Sequence, residues 1–331
     1  MNYFQPVSVS SPYPKCVPWT KRLKRGARFA LIRAGAAWVG LFPLRFASAF
    51  GACVGVLLWL VVFGKRKKAL DSLAVAFPER AEAERRAIGR ASFAHLGRGL
   101  FEFACLTELD RSIEAFVEWP AESRAALDAA LARKKGVLFI SGHIGHWELL
   151  IRRGALAGYP CQTIAKETNY PRLTAFIESL RASGRVKTIW RGRPGAAKEM
   201  LRAIKRGEIL GMLIDQDINV QSVFVSFFGR EAKTPRAAAA LALRTGAAVV
   251  LGFCHRVGPT SFRLSMRELP APVGEGEAAV VEFTQALTQG IETAIRSFPE
   301  QWVWVHDRWR SRPEDQSRAA LPSTAVGPVL E

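Results

Sequence analysis

From Gly136 onward, short β-rich runs alternate with helical segments, and this alternation restricts the fold more than any other feature of the 331 residues. "GVLFI", "CQTIA", "VKTIW", "EILGMLI" and "AAVVLGFC" read as strands, with helical periodicity near 147–157, 171–183, 195–206 and 235–245. Repetition of strand, helix and strand predicts an α/β domain in which helices cover both faces of a mostly parallel central sheet. Ligands of such sheets collect beyond the carboxyl ends of the strands. The segment "VLFISGHIGHWELL", Val137 to Leu150, reaches that end and places His143 and His146 just past a strand and Glu148 at the start of a helix.

The N-terminal region follows different rules. Residues 1–27 combine several prolines with a basic cluster, which predicts an extended leader. In 28–68 the stretch Phe46 to Phe63 holds 18 uncharged, mostly apolar positions, a length at which both a membrane helix and a buried core helix are possible. Cations flank it on both sides (Arg28, Arg33 and Arg45 before; Lys65 to Lys68 after), so the charge distribution favours an anchor lying in the plane of a membrane. On this reading Trp38, Phe42 and Trp59 sit among acyl chains, and Pro43 interrupts any single long helix. Residues 69–313 form the α/β domain, with Phe93, Leu96, Leu100 and Phe103 marking one face of an early helix, and 314–331 read as a disordered tail.

Charge and cysteine usage narrow the partners. A formal net charge of +18 implies an anion-attracting surface: phospholipid headgroups, nucleic acid or an acidic carrier protein. No nucleic-acid-binding signature is present and the cations are dispersed, which argues against a non-enzymatic nucleic-acid-binding role. Five scattered cysteines, without metal-type pairing, read as reduced thiols.

The His143 segment carries the chemistry. The five-residue separation of His143 and Glu148 permits their side chains to meet, so that the carboxylate fixes the imidazole tautomer and the other ring nitrogen accepts a proton from an alcohol. No G-x-S-x-G motif supplies a protein nucleophile, which moves the nucleophile to a bound substrate and makes acyl transfer to a hydroxyl the best fit. Backbone N–H groups around Ser141 to Gly145 are candidate oxyanion donors. Plainer readings stay open: Ser141 or His146 as a helix cap, His143 as a hydrogen-bonded core residue, and "DQD" (Asp215 to Asp217) as a turn acid at a strand end. The H-x-x-H doublet lacks the i,i+4 face of a zinc helix. The apolar "VFVSFFG", with Val223, Val225, Phe224, Phe227 and Phe228, either lines an acyl groove or fills the core, and in "FPEQWVWVHDRW" His306 and Arg308 read as a surface pair on an aromatic strand.

H-x4-E, "DQD", "FFG", "TP" and "LALRTGA", with "ALDSLAVAFPE" (69–79), "LGRGLFEF" (96–103), "GHWE" (145–148) and the ending "FPEQWVWVHDRWRSRP" (298–313), resemble the bacterial lipid A biosynthesis (lauroyl and myristoyl) acyltransferase family within the lysophospholipid acyltransferase superfamily. The resemblance implies a glycerolipid acyltransferase-like fold, His143 and Glu148 as catalytic residues, and Asp215, Asp217 and either Arg181 or Arg185 as substrate-binding residues. His146 departs from the asparagine common at its position. By the same resemblance the donor is acyl carrier protein and the acceptor a lipid A precursor, at the cytoplasmic face of the inner membrane, with an anionic membrane surface as a further partner and no cofactor or metal. Another glycolipid, such as a phosphatidylinositol mannoside, or a lysophospholipid is the alternative acceptor.

Overall fold

The computed structural model describes residues 19–314. The chain begins with α1 (Trp19–Val39), α2 (Leu44–Val61), α3 (Phe63–Ala76), α4 (Glu82–Ala104), α5 (Leu106–Arg111) and α6 (Ile113–Phe116). The alternating part runs β1 (Val117–Glu118), α7 (Ala121–Ala132), β2 (Val137–Ser141), α8 (Trp147–Leu156), β3 (Cys161–Lys166), α9 (Pro171–Ser183), β4 (Lys187–Arg191), α10 (Ala196–Lys205) and β5 (Ile209–Leu213). It ends with the hairpin β6 (Ser222–Phe227) and β7 (Arg230–Pro235), then α11 (Ala237–Thr245), β8 (Ala248–Arg256), β9 (Phe262–Leu269) and α12 (Gly276–Ser297).

Seven strands form one sheet in the order β1-β9-β8-β2-β5-β3-β4. The pairs β8–β2, β2–β5, β5–β3 and β3–β4 are parallel, whereas β9 runs antiparallel to β8. Every side chain of β2 is buried because helices cover both faces, which is why the strand reads as a continuous apolar run. Leu138 and Ile140 point into one core with residues of α11 and α12, while Val137 and Phe139 point into a second core with residues of α5, α7 and α8.

The helical pair α2 and α4 has an unusual polarity. Helix α2 packs along α4 through glycines: a Cβ on Gly55 would stand 2.0 Å from the Phe93 carbonyl oxygen, and one on Gly97 equally close to that of Gly51, at 2.0 Å. This approach is closer than any residue with a side chain permits, and it seals the small-residue face of α2 inward. The opposite face leaves Phe46, Phe50, Leu57, Leu60 and Val61 exposed.

Several expectations change here. Helix α1 begins at Trp19, within the expected leader of 1–27; the first 18 positions of that leader, and the tail beyond 314, lie outside the described residues. Pro43 does separate two helices, as the N-cap of α2, and Trp38 and Phe42 are exposed, but Trp59 is buried in edge-on contact with Phe93. On α4 the apolar period misleads: Leu100 is 67% exposed whereas Glu102, two positions on, is 0% exposed. Val223, Val225, Phe227 and Phe228 fill the core, the two phenylalanines against Trp302, Trp304 and Trp309. The C-terminal aromatic segment is no strand; a short 3-10 turn over Pro299–Gln301 leads into irregular backbone.

Candidate active site

Parallel pairing of Ser141 with Leu213 aligns the ends of β2 and β5, so His143 and Asp215 emerge side by side two residues beyond the strands. Gly142 makes room for this: a Cβ there would come within 3.1 Å of the Asp215 carboxylate and 3.0 Å of Ile291. The backbone N–H of His143 donates to Asp215 Oδ2 at 2.7 Å, and the ring Nδ1 lies 2.7 Å from Oδ1. Trp302 donates its indole N–H to Oδ2 at 2.7 Å. Burial alone would raise the Asp215 carboxyl, but the His143 imidazole and these hydrogen bonds outweigh it and hold the pKa down at about 2. An ionised carboxylate only accepts, so Nδ1 donates to it, and in the neutral ring the lone pair lies on Nε2. The imidazole itself is partly open to solvent, its side chain 22% exposed.

Glu148 does not take part in this contact. It forms a two-pronged ion pair with Arg181 instead, Arg181 Nε standing 3.0 Å from Oε2. The reason is local: α8 begins at Trp147 with His146 Nδ1 capping the Leu149 N–H at 3.3 Å, and the first-turn carboxylate meets Arg181 of α9 while Asp215 draws the His143 ring toward β5. The expected His143–Glu148 pair is therefore corrected to His143–Asp215, and of the cap readings that of His146 is the one observed. Arg185, the other arginine candidate, lies away from His143. It is exposed in the α9–β4 turn, at φ +61°, before the amino end of β4 and thus at the opposite edge of the sheet from His143. Asp217 is buried, its carboxylate accepting the Ser311 N–H at 2.8 Å and a guanidinium N–H of Arg310 at 3.3 Å, so it ties down the C-terminal segment.

Three polar features escaped the sequence reading. Arg308, read as surface, is fully buried and donates to the Lys233 carbonyl and Thr234 Oγ1; burial pulls its pKa down to about 10. His306 is half-buried near His143 and Asp215, and burial lowers its pKa. Behind the His143 loop, Glu102 of α4 accepts from Ser48 Oγ at 2.7 Å and from Arg256, with His146 Nε2 at 3.7 Å. Burial works against the Glu102 charge, yet Arg256 and His146 keep its pKa below the usual value. Two of the amides expected to serve as oxyanion donors are engaged, that of His143 by Asp215 and that of Gly145 by the Gln301 carbonyl at 3.0 Å. A groove of about 420 Å³ between β9 and α12, lined by Phe253, Met266, Ala294 and Phe298, shares no residue with this site.

The mostly parallel sheet presents an oriented imidazole at the carboxyl ends of its strands, an arrangement suited to proton transfer with a bound substrate. The family comparison makes this specific: residues 19–311 match the bacterial lipid A biosynthesis acyltransferase family, to which the chain belongs, and it is an O-acyltransferase. The chain is similar to the lipid A biosynthesis lauroyltransferase of Escherichia coli K12, 25% identical over 289 residues, which cover 85% of this chain and 90% of that protein. It is 25% identical to the lipid A biosynthesis myristoyltransferase of the same organism over 279 residues, 82% of this chain and 83% of that one. A phosphatidylinositol mannoside acyltransferase of Mycobacterium tuberculosis (strain CDC 1551 / Oshkosh) is 26% identical over 202 residues, 60% of this chain and 62% of its own length.

Proposed function

We propose that the protein transfers a fatty acyl chain from acyl carrier protein to a hydroxyl of a lipid A precursor, a secondary acylation of a 3-hydroxyacyl chain already in place. The hydrogen bond between His143 Nδ1 and Asp215 at the carboxyl edge of the sheet carries this reading, because it leaves Nε2 as a free base at the position where ligands of such sheets bind. His143 Nε2 takes the acceptor's hydroxyl proton as that oxygen attacks the thioester carbonyl. The tetrahedral oxyanion collapses, the C–S bond breaks, and the departing thiolate receives the proton from the imidazolium. An ester and a free carrier thiol result, with no acyl-enzyme.

The apolar face of α2 supports work at a membrane, in keeping with a place at the cytoplasmic face of the inner membrane. Among the described residues one helix, Leu44–Val61, is long and apolar enough to cross a bilayer. Its other face, however, is sealed along α4, where Arg98 and Glu102 both bond to Ser48. That arrangement favours α2 lying in the interface, with Arg45, Lys65 and Arg66 beside it for anionic headgroups.

Replacing His143 by Ala tests the reading, with dodecanoyl–acyl carrier protein as donor and a tetraacylated lipid A precursor as acceptor. Loss of a general base predicts a fall in kcat of about 10³-fold. Turnover retained by a folded variant rules out the proposed base. If wild type acylates a phosphatidylinositol mannoside or a lysophospholipid in preference, the alternative acceptor replaces the one proposed.

A further inference from the structure

The His143 loop is held from a direction that the chemistry above does not use. Its strand side is fixed by backbone: His146 N–H donates to the Cys254 carbonyl at 2.8 Å, and Gly145 N–H to that of Gln301 at 3.0 Å. From the helical side comes a side-chain hydrogen bond. His95 of α4 is buried, and its Nε2 stands 3.1 Å from the Gly145 carbonyl oxygen. Burial, and then Arg256, hold the His95 pKa down at about 4, so the ring is neutral near pH 7 and has one proton to place. A carbonyl oxygen only accepts, which puts that proton on Nε2.

Gly145 leaves little freedom to absorb a change. Its φ is +62°, and a Cβ at this position would stand 1.9 Å from the Cys254 carbonyl oxygen. The peptide whose oxygen His95 holds joins Gly145 to His146, two residues from His143 and immediately before the cap of α8. Tilting that peptide plane would carry the His143 turn away from Asp215, where both the backbone N–H and ring Nδ1 need the same carboxylate. Glu102 lies two turns along α4 on the same side as His95, close to His146. The helix therefore meets the loop along a polar strip.

We propose that His95 is a positioning residue: its Nε2–H holds the Gly145 carbonyl and thereby sets the His143 turn in register with Asp215. The inference rests on His143 being the base, and it adds a second side chain, outside the sheet and outside the family-derived site residues, on which turnover depends. It also makes the packing of α4 on α2 a requirement for catalysis, because α4 carries His95.

The test uses full-length protein in detergent micelles and compares His95→Ala with His95→Gln, whose amide N–H reaches toward the same carbonyl. With dodecanoyl–acyl carrier protein and the tetraacylated precursor, His95→Ala should lower kcat by about 100-fold, the effect of a small misplacement of a catalytic group. KM should stay within about threefold, and His95→Gln should recover most of the loss. Amide exchange across residues 142–149 gives a second readout that needs no substrate. It should quicken by about tenfold or more in His95→Ala, with wild-type protection in His95→Gln. Exchange and kcat unchanged in His95→Ala overturn the proposal, as does a folded His95→Gln that restores neither. A wild type inactive on every acceptor would defeat the acyl-transfer reading of the site, while the exchange result would still decide whether His95 sets the loop.

Discussion

The carboxyl edge of the sheet and the α2–α4 pair obey opposite conventions. In β2 and β5 apolar side chains point inward and the polar His143 and Asp215 emerge where the strands stop. In α2 and α4 the apolar side chains Phe46, Phe50, Leu57 and Leu100 face outward, while Ser48, His95 and Glu102 are buried together with Trp59 and Phe93. The sheet has the polarity of a protein in water. The helical pair exposes an apolar face, which the interfacial position proposed above would place against lipid. His95, bonded to Gly145, and Glu102, paired with Arg256 of β8, join the two regions.

Breaking the glycine seam should have the largest effect on the folded state. Gly55→Val places side-chain atoms where the Phe93 backbone lies, and overpacking of that kind costs about 3 kcal/mol or more, read as a lower thermal midpoint in detergent. A neutral outcome would mean that α2 and α4 separate readily and that the inverted polarity is not fixed by their packing. Changing the outward face should do the reverse. Leu57→Asp with Leu60→Asp, both exposed, should leave the thermal midpoint in detergent almost unchanged and reduce binding to anionic vesicles by at least about tenfold. Undiminished vesicle binding would show that this face is not the lipid contact.

A smaller effect sharpens the comparison from the sheet side. His255 of β8, stacked on Phe298, has its pKa lowered by burial from 6.5 to about 4. Because the folded value lies below the unfolded one, the unfolded chain takes up the proton first as pH falls. The His255 contribution is complete above pH 6.5 and is lost between pH 6.5 and about pH 4, at roughly 1.4 kcal/mol per pH unit. His255→Phe should flatten stability against pH over that window by about this slope. An unaltered slope would locate the acid sensitivity in His95 or elsewhere.

How far the sequence could be read follows the same division. The five strands and four helices expected beyond Gly136 occur within a residue or two of their expected bounds, because alternating periodicity and turn residues act locally. The pairing of His143 was legible only as a choice among acids. H-x4-E made Glu148 the nearer candidate by spacing, whereas the true partner comes from β5, 72 positions away, through strand order that no local pattern encodes. Glu102 was hidden for a different reason. In "LGRGLFEF" the apolar period assigns it to the solvent side, and only the outward turn of Leu100 reveals which face is buried. Gly51 and Gly55 carried a usable signal, since small residues spaced by four on an apolar helix mark close helix contact.

The central claim is that Asp215, not Glu148, orients His143, and kcat for Asp215→Asn and Glu148→Gln measured side by side tests it most directly. An asparagine offers an N–H where His143 Nδ1–H needs an acceptor, so Asp215→Asn should lose about 10³-fold in kcat, while Glu148→Gln, which weakens a pair with Arg181, should stay within about tenfold of wild type. The opposite order, with Glu148→Gln inactive and folded and Asp215→Asn close to wild type, would contradict the account.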